Sequence, residues 1–279
     1  MHEAYAPIVQ ARIRHANRAY DGKLLADDLK CLNALEERSV PVMNARAIAE
    51  PTLERNGLQL MRHSSAVGDF FNYEQMKAQY GREMEAFVGS AVGSNKVVII
   101  DCVLRGSADL INGNPGTRIY EYAFKAHSDG DGDTFLAMAA NIAPEETARY
   151  RNGRFAVYTV WRPLAPVEQK PLALCDGGSV SRDDLVAAYY SGYDDKAEMY
   201  PDLDFPPPSV YFHLAYSPDQ RWFYFPDMTP DEVLIFKQWD SHPEGVLCVP
   251  HSAFEDPNTR LNPAPRTAIE ARAVAFFPE

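Results

Sequence analysis

The spacing of hydrophobic residues changes character near residue 96. Upstream, Ile8 to Asn33 mixes charged residues with scattered apolar ones and predicts one or two helices lying over a surface. Asn72 to Val88 carries Met76, Tyr80, Met84 and Phe87 at helical spacing. Asn72 stands as N-cap, Gln75 follows three residues on, and Gly89 ends the segment. Downstream, β-branched and aromatic residues dominate. Lys96–Arg105, Thr117–His127, Arg154–Trp161 and Val210–Ala215 read as strands, as do Trp222–Pro226, Glu232–Trp239, Gly245–Val249 and Ala268–Phe277. The breaks NGNPG, SDGDGD, DLDFPPPS and DPNTRLNPAP are turn chemistry. A helix over Arg182–Ser191 interrupts the series. Many short strands between Gly/Pro turns point to a sandwich or barrel. The expectation is one domain over 1–279. Residues 1–95 form an N-terminal helical and capping part on a mainly β, jelly-roll-like core, 96–279, with a helical insertion near 182–191.

Composition narrows the class of partner. Lys and Arg number 27 against 39 Asp and Glu, a net charge of −12, which leaves no basic stripe for nucleic acid. The longest apolar run, Val97–Ile100, falls far short of the ~20 residues that span a bilayer, and the N-terminus lacks the order of a signal peptide. The four cysteines, Cys31, Cys102, Cys175 and Cys248, include no close pair. That excludes zinc ribbons and CxxC redox motifs and fits free thiols in a reducing, cytoplasmic setting. The expected partner is a small molecule, with no nucleic acid and no membrane; oligomeric state is open.

Several motifs fail. There is no GxSxG elbow, no Walker A loop and no HExxH. Gly130-Asp131-Gly132 begins like a dinucleotide fingerprint, but Phe135 takes the last glycine's place. Asp129, Asp131 and Asp133 begin like a calcium loop, which then needs Gly and Glu where Thr134 and Ala140 stand. What remains is His127-Ser128-Asp129 at the end of a strand-like run. Residues i and i+2 of a strand share a face, so imidazole and carboxylate can converge on one ion. Two histidines and a carboxylate on one face of an octahedral metal suit non-haem Fe(II), leaving three positions open. His213, His242 and His251 lie downstream; His251, at a strand end beside a turn, is favoured as the second histidine. Arg266 and Arg272 follow, and either guanidinium fork matches the distal carboxylate of a 2-oxo acid. Alternation favours Arg272, because Arg266 at the barrel mouth would drive Glu270 and Arg272 inside as charges. Tyr120 and Tyr122 alternate toward His127 as pocket candidates. Lys237 and Asp240 are candidate supports for the His251 turn.

TVWRPL (159–164), PLALCD (171–176), WFYFPDMTPDEVLIFKQWDS (222–241), PHSAFEDP (250–257) and PRTAIEARAVAFF (265–277) together resemble one family. It comprises secondary-metabolism oxygenases related to the cephamycin methoxylation protein and a fungal gibberellin desaturase. The resemblance runs with gaps from Pro51 to the C-terminus. It implies a double-stranded β-helix (jelly-roll, cupin-like) fold, Fe(II), 2-oxoglutarate as co-substrate and O2. The implied reaction is hydroxylation, desaturation or oxidative cyclisation of a natural-product intermediate by hydrogen abstraction, with release of succinate and CO2. It also implies His127, Asp129 and His251 as iron ligands and a co-substrate role for Arg266 or Arg272, with Arg266 nearer the Arg-x-Ser pattern. Thr159 and Arg162 become cofactor-binding candidates, Thr159 in place of an expected Asn and Arg162 within a Trp-Arg-Pro signature. Ala268 replaces an expected Ser, which removes a hydroxyl that helps hold the co-substrate carboxylate. The rival expectations are a cupin-like metalloenzyme that does not use 2-oxoglutarate, and a metal-free binder on the same fold.

Overall fold

The structure is a computed structural model and describes residues 7–20, 24–25, 34–48, 50–114, 117, 119–190, 209–242 and 244–277. Its strands gather into two sheets. A six-stranded sheet runs β4 (Leu58–Arg62), β13 (Glu232–Asp240), β8 (Arg154–Pro163), β15 (Ala268–Phe277), β5 (Lys96–Arg105) and β6 (Ile119–Tyr120). A nine-stranded sheet runs β1 (Ile8–Ala16), β3 (Leu35–Asn44), β12 (Trp222–Tyr224), β9 (Leu172–Cys175), β14 (His251–Ala253), β7 (His127–Ser128), β11 (Ser209–Leu214), β10 (Leu185–Tyr190) and β2 (Leu24–Leu25).

Alternation along β8 and β15 divides the molecule into layers. Ala156, Tyr158, Val160, Ile269, Ala271, Ala273 and Ala275 face outward under a helical run that contributes Met76, Tyr80, Met84 and Val88. The opposite face turns inward. There Trp161, Leu234, Phe236 and Ala268 meet Leu172, Leu174, Phe223 and Phe225 of the other sheet, so the two sheets share a core. Each large apolar side chain buried this way contributes ~1.5–3 kcal/mol. At the other end of the barrel, the helix Gly132–Ile142 seats Phe135, Met138 and Ala139 on Val98, Ile100, Phe155, Val157, Val274 and Phe276. Asp131 caps that helix by accepting from the Thr134 N–H at 2.8 Å. A Cβ on Gly132 would come within 2.6 Å of Trp239 Nε1, so the close approach requires glycine.

The described part of the first 95 residues is helical only in part, over Leu53–Asn56 and from Tyr73 to Val92, and strands take the place of the helices expected before residue 34. Ile8–Ala16 is a strand whose alternate residues are buried, antiparallel to β3, and β3 lies parallel to β12. The free side of β1 reaches back: Ala126 N–H donates to Arg14 O at 2.9 Å, and Ala16 bridges Ala215. Val9, Ala11, Ile13, Val40 and Val42 therefore share a second core with Cys175, Leu214, Trp222, Tyr224 and Phe254. Residues 21–23 and 26–33 of the expected helical stretch lie outside the described residues. The expected insertion near 182–191 is likewise extended: one tight turn, Arg182–Asp184, leads into β10, paired antiparallel with β11. Pairing with β11 overrides the helical propensity of Ala187 and Ala188. The helix after Asn72 does start with that side chain accepting from Gln75 N–H. It runs past Gly89 to Gly93, which stops it at φ 70°. Thr117–His127 contracts to the short strands β6 and β7, and the described residues of Gly245–Val249 form no strand.

Candidate metal centre

His127 and His251 stand opposite one another on β7 and β14. Directly opposed residues of an antiparallel pair lean to the same face, and the two rings lie 4.3 Å apart between centroids. Asp129 follows β7 and brings Oδ1 to 3.6 Å from His127 Nε2. The ligand atoms of the three residues all lie within 4.8 Å of one another, the one such group among the described residues. His127 Nδ1 is 2.7 Å from Lys125 O, and His251 Nδ1 is 3.4 Å from Val249 O. A carbonyl only accepts, so each Nδ1 carries the hydrogen and each Nε2 keeps its lone pair for a metal.

Electrostatics prepare the same state. Burial holds the His127 imidazole well below its ordinary range, with His251 adding to the effect; burial also lowers His251, against the pull of Asp129. Both rings are neutral at pH 7, the form that ligates. Burial opposes the Asp129 charge, but Arg272, His251 and His127 outweigh it and hold the carboxyl well below the usual carboxylate range. Tyr211 stacks on His127 at 5.3 Å and 17°, and Phe236 packs on His251 at 4.9 Å. His213 stands opposite His127 on β11 and meets Tyr211 edge-on at 5.1 Å.

The two arginines have different surroundings. Arg272 is 7% exposed, with Nε on Asp129 Oδ2 at 2.9 Å, Nη1 on Asp101 Oδ2 at 2.5 Å and Nη2 3.7 Å from Glu270. Glu270 also holds Arg105 at 3.1 Å. Glu270 and Arg272 are thus both inside as charges, the arrangement that alternation disfavoured. The buried cost is met because every charge has an opposite partner. Burial, with Asp129 and Glu270 nearby, raises the Asp101 carboxyl despite Arg272. Arg266 is 3% exposed. Its guanidinium lies 4.5 Å over the Tyr122 ring and 5.5 Å over that of Trp161, and Nη1 donates to Lys170 O. Arg266 Nε and Trp161 Nε1 are both shielded from solvent without a hydrogen-bond partner in the protein. Burial draws the Arg266 guanidinium down to about 10, so it stays a cation at neutral pH.

The other candidates separate by position. Tyr122 joins Arg266, donating its hydroxyl to Arg266 O at 2.5 Å. Tyr120 instead covers Arg105 and lines a cavity of about 330 Å³ along the β5 edge. Thr159 faces inward opposite Arg272 and accepts from Gln238 Nε2 at 2.9 Å. Arg162 lies on the outer face, buried against Tyr80, His63 O and Pro230 O, so it is not brought to the triad. Lys237 and Asp240 bind each other at 2.6 Å, and Arg154 holds Asp240. Gln238, next to Lys237, reaches Asp129; no sequence motif marks Gln238 or Asp101 as part of the site. Asp101 had a visible signal, a lone carboxylate in the apolar run KVVIIDCVLR.

Comparison with known proteins agrees with this chemistry. The hydroxylase/desaturase asaB of Aspergillus flavus is 36% identical over 150 residues, covering 52% of this chain and 65% of its own. The alpha-ketoglutarate-dependent dioxygenase phiK of a fungal species is 26% identical over 289 residues, covering 99% and 98%. The solved iron and alpha-ketoglutarate-dependent endoperoxidase NvfI shares the fold, with a TM-score of 0.81 at 19% identity over 98% of this chain and 99% of that one. Among the described residues no helix is long and apolar enough to cross a membrane. Residues 17–276 match the family described as YDMC, Oxidoreductase/YMDC permease-like domain, and the chain belongs to it.

Proposed function

We propose that this chain is a non-haem Fe(II)- and 2-oxoglutarate-dependent oxygenase that oxidises a small-molecule intermediate of secondary metabolism, with His127, Asp129 and His251 as its iron ligands. The observation that carries the reading is one arrangement. Two lone-pair Nε2 atoms and a charged carboxylate converge, and a buried arginine packed on Trp161 keeps an unsatisfied donor. Fe(II) with 2-oxoglutarate and O2 supplies the oxidant for an unactivated C–H bond, with succinate and CO2 as co-products. Relatives named dioxygenase and hydroxylase/desaturase support that chemistry for the present chain.

The residues divide the work. His127, Asp129 and His251 would hold Fe(II) with three ligands and leave room for co-substrate and dioxygen. Arg266 takes the far carboxylate of 2-oxoglutarate, since its Nε is unsatisfied while Arg272 already serves three carboxylates. The Trp161 indole N–H donates to the same carboxylate in place of the hydroxyl that Ala268 lacks. Tyr122 and Trp161 wall off water, which strengthens the charge-assisted pairing. We read 1–279 as one catalytic domain, because the N-terminal hairpin shares a core with strands of the sheet that carries both histidines. The free thiols Cys102, Cys175 and Cys248 support a cytoplasmic setting.

Succinate released from 2-oxoglutarate by the Fe(II)-loaded chain tests the reading. Arg266→Gln should raise KM for 2-oxoglutarate by ~10-fold or more, as expected for losing a charged hydrogen bond worth ~1.5–3 kcal/mol. A wild type that binds Fe(II) but releases no succinate contradicts the co-substrate assignment. An unchanged KM in Arg266→Gln contradicts the role given to that arginine.

A further inference from the structure

We infer that Gln238 is a positioning residue that holds Asp129 as a one-oxygen metal ligand and so keeps the third open position of the site; the inference rests on the iron centre proposed above. Gln238 is fully buried where β13 slips by one residue against β8, between Lys237 and Trp239. Gln238 alternates inward with Leu234 and Phe236, and the bulge turns the next residue, Trp239, to the same interior, so two consecutive side chains face inward. Gln238 is aimed at Asp129. Gln238 Oε1 accepts from the Asp129 backbone N–H at 3.0 Å and from the Ser128 hydroxyl at 2.9 Å. Gln238 Nε2 donates to Asp129 Oδ2 at 3.0 Å and to Thr159 Oγ1 at 2.9 Å. A flipped amide would set N–H against the Asp129 N–H and oxygen against oxygen, so these four contacts fix its orientation.

The consequence falls on the carboxylate. Asp129 Oδ2 receives two donors, Gln238 Nε2 and Arg272 Nε, while Oδ1 is the oxygen 3.6 Å from His127 Nε2. An Asp129 that closed on the metal through both oxygens would occupy four octahedral positions together with the histidines and leave two. A bidentate 2-oxo acid and dioxygen need three. Arg272 is a weak sole guard of Oδ2, because Asp101 and Glu270 draw on the same guanidinium. Gln238 has no competing carboxylate. It pins both the backbone and the side chain of Asp129. Thr159, a candidate for direct co-substrate contact, acts through Gln238 instead.

The test uses the full chain and three variants: Gln238→Met, which keeps length and removes both polar ends, Thr159→Val and Ser128→Ala. Anaerobic equilibrium dialysis gives the Fe(II) dissociation constant without co-substrate. Titration with 2-oxoglutarate at saturating Fe(II) then gives the charge-transfer absorption and its maximum. Gln238→Met is expected to weaken Fe(II) binding by ~10–100-fold, the usual range for partners that orient a metal ligand. It should also shift the charge-transfer maximum and weaken 2-oxoglutarate binding at saturating iron. Thr159→Val and Ser128→Ala should move the same quantities in the same direction by less. A merely structural role would lower the melting temperature and leave the iron affinity and the absorption maximum of the folded fraction alone. A folded Gln238→Met that binds Fe(II) within about twofold of wild type and keeps its maximum overturns the inference. Should Gln238→Met fail to fold, the two smaller variants decide on the same readouts, and unchanged values in both overturn it. A wild type that binds Fe(II) without the absorption overturns the co-substrate reading instead, while dialysis of the variants still decides the role of Gln238.

Discussion

β8 and β15 lie side by side for ten residues, yet the two ends of their shared inner face differ in kind. At one end Phe155, Val157, Val274 and Phe276 are dry and apolar beneath the helix Gly132–Ile142. Two residues further along, Thr159 and Arg272 face the same interior, followed by Glu270. Both ends are buried, so exposure does not explain the difference. What separates them is partnership. The apolar end closes by packing, and the polar end closes through the chain Thr159–Gln238–Asp129–Arg272, with Asp101, Glu270 and Arg105 completing the charges. A barrel interior of this kind tolerates charge where the set is complete, and that completed set meets the triad at Asp129.

Matched substitutions at the two ends put the difference at risk. Arg272→Met should destabilise the fold by ~3–5 kcal/mol, because it strands buried carboxylates. It should weaken Fe(II) binding as well, since Asp129 Oδ2 loses a donor. Phe276→Ala should cost a similar ~3–5 kcal/mol through a cavity, with Fe(II) affinity unchanged. Urea unfolding and iron dialysis on the pair distinguish these outcomes. Loss of iron binding in Phe276→Ala with a folded chain would erase the distinction between the ends.

A smaller effect concerns two buried histidines of the nine-stranded sheet. Burial holds His15, beside Trp222, at about 4 and His213, beside the triad, at about 3. Both lie below the unfolded value of ~6.5, so below that pH the unfolded chain binds protons that the native chain refuses. Stability of the metal-free protein should therefore fall as pH drops from 6.5 toward 4. Each histidine contributes up to ~1.4 kcal/mol per pH unit. His15→Gln should flatten the dependence between pH 7 and 5 while leaving iron affinity alone. A flat profile in the wild type would contradict the burial argument.

Particular residues show how far the sequence could be read. Lys96–Arg105 and Ala268–Phe277 emerge with the bounds expected; in the first, a long β-branched run leaves little choice of element. β1 was misread because its buried set, Val9, Ala11, Ile13 and His15, is weakly hydrophobic and Arg12 and Arg14 sit between its members. The helix at Gly132 was hidden inside SDGDGD, where Asp131 serves as cap rather than as turn residue. In the site, His127 and Asp129 were legible as a spacing and His251 by its place at a strand end. The choice between Arg266 and Arg272 was not legible. The proposal of Arg266 over Arg272 rests on Asp101, far away in the chain, and on the orphaned Arg266 Nε, neither of which spacing reveals. Gln238 was illegible for a related reason: alternation with Leu234 and Phe236 turns it inward, but its partner Asp129 lies 109 residues away in the chain.

Fe(II) and then 2-oxoglutarate, added without oxygen to metal-free wild type and to His251→Ala, test whether the triad holds iron and co-substrate together. A visible charge-transfer band should form in the wild type and none in His251→Ala, with both proteins folded. Iron binding without a band in the wild type, or a band that survives in His251→Ala, would contradict that role of the triad.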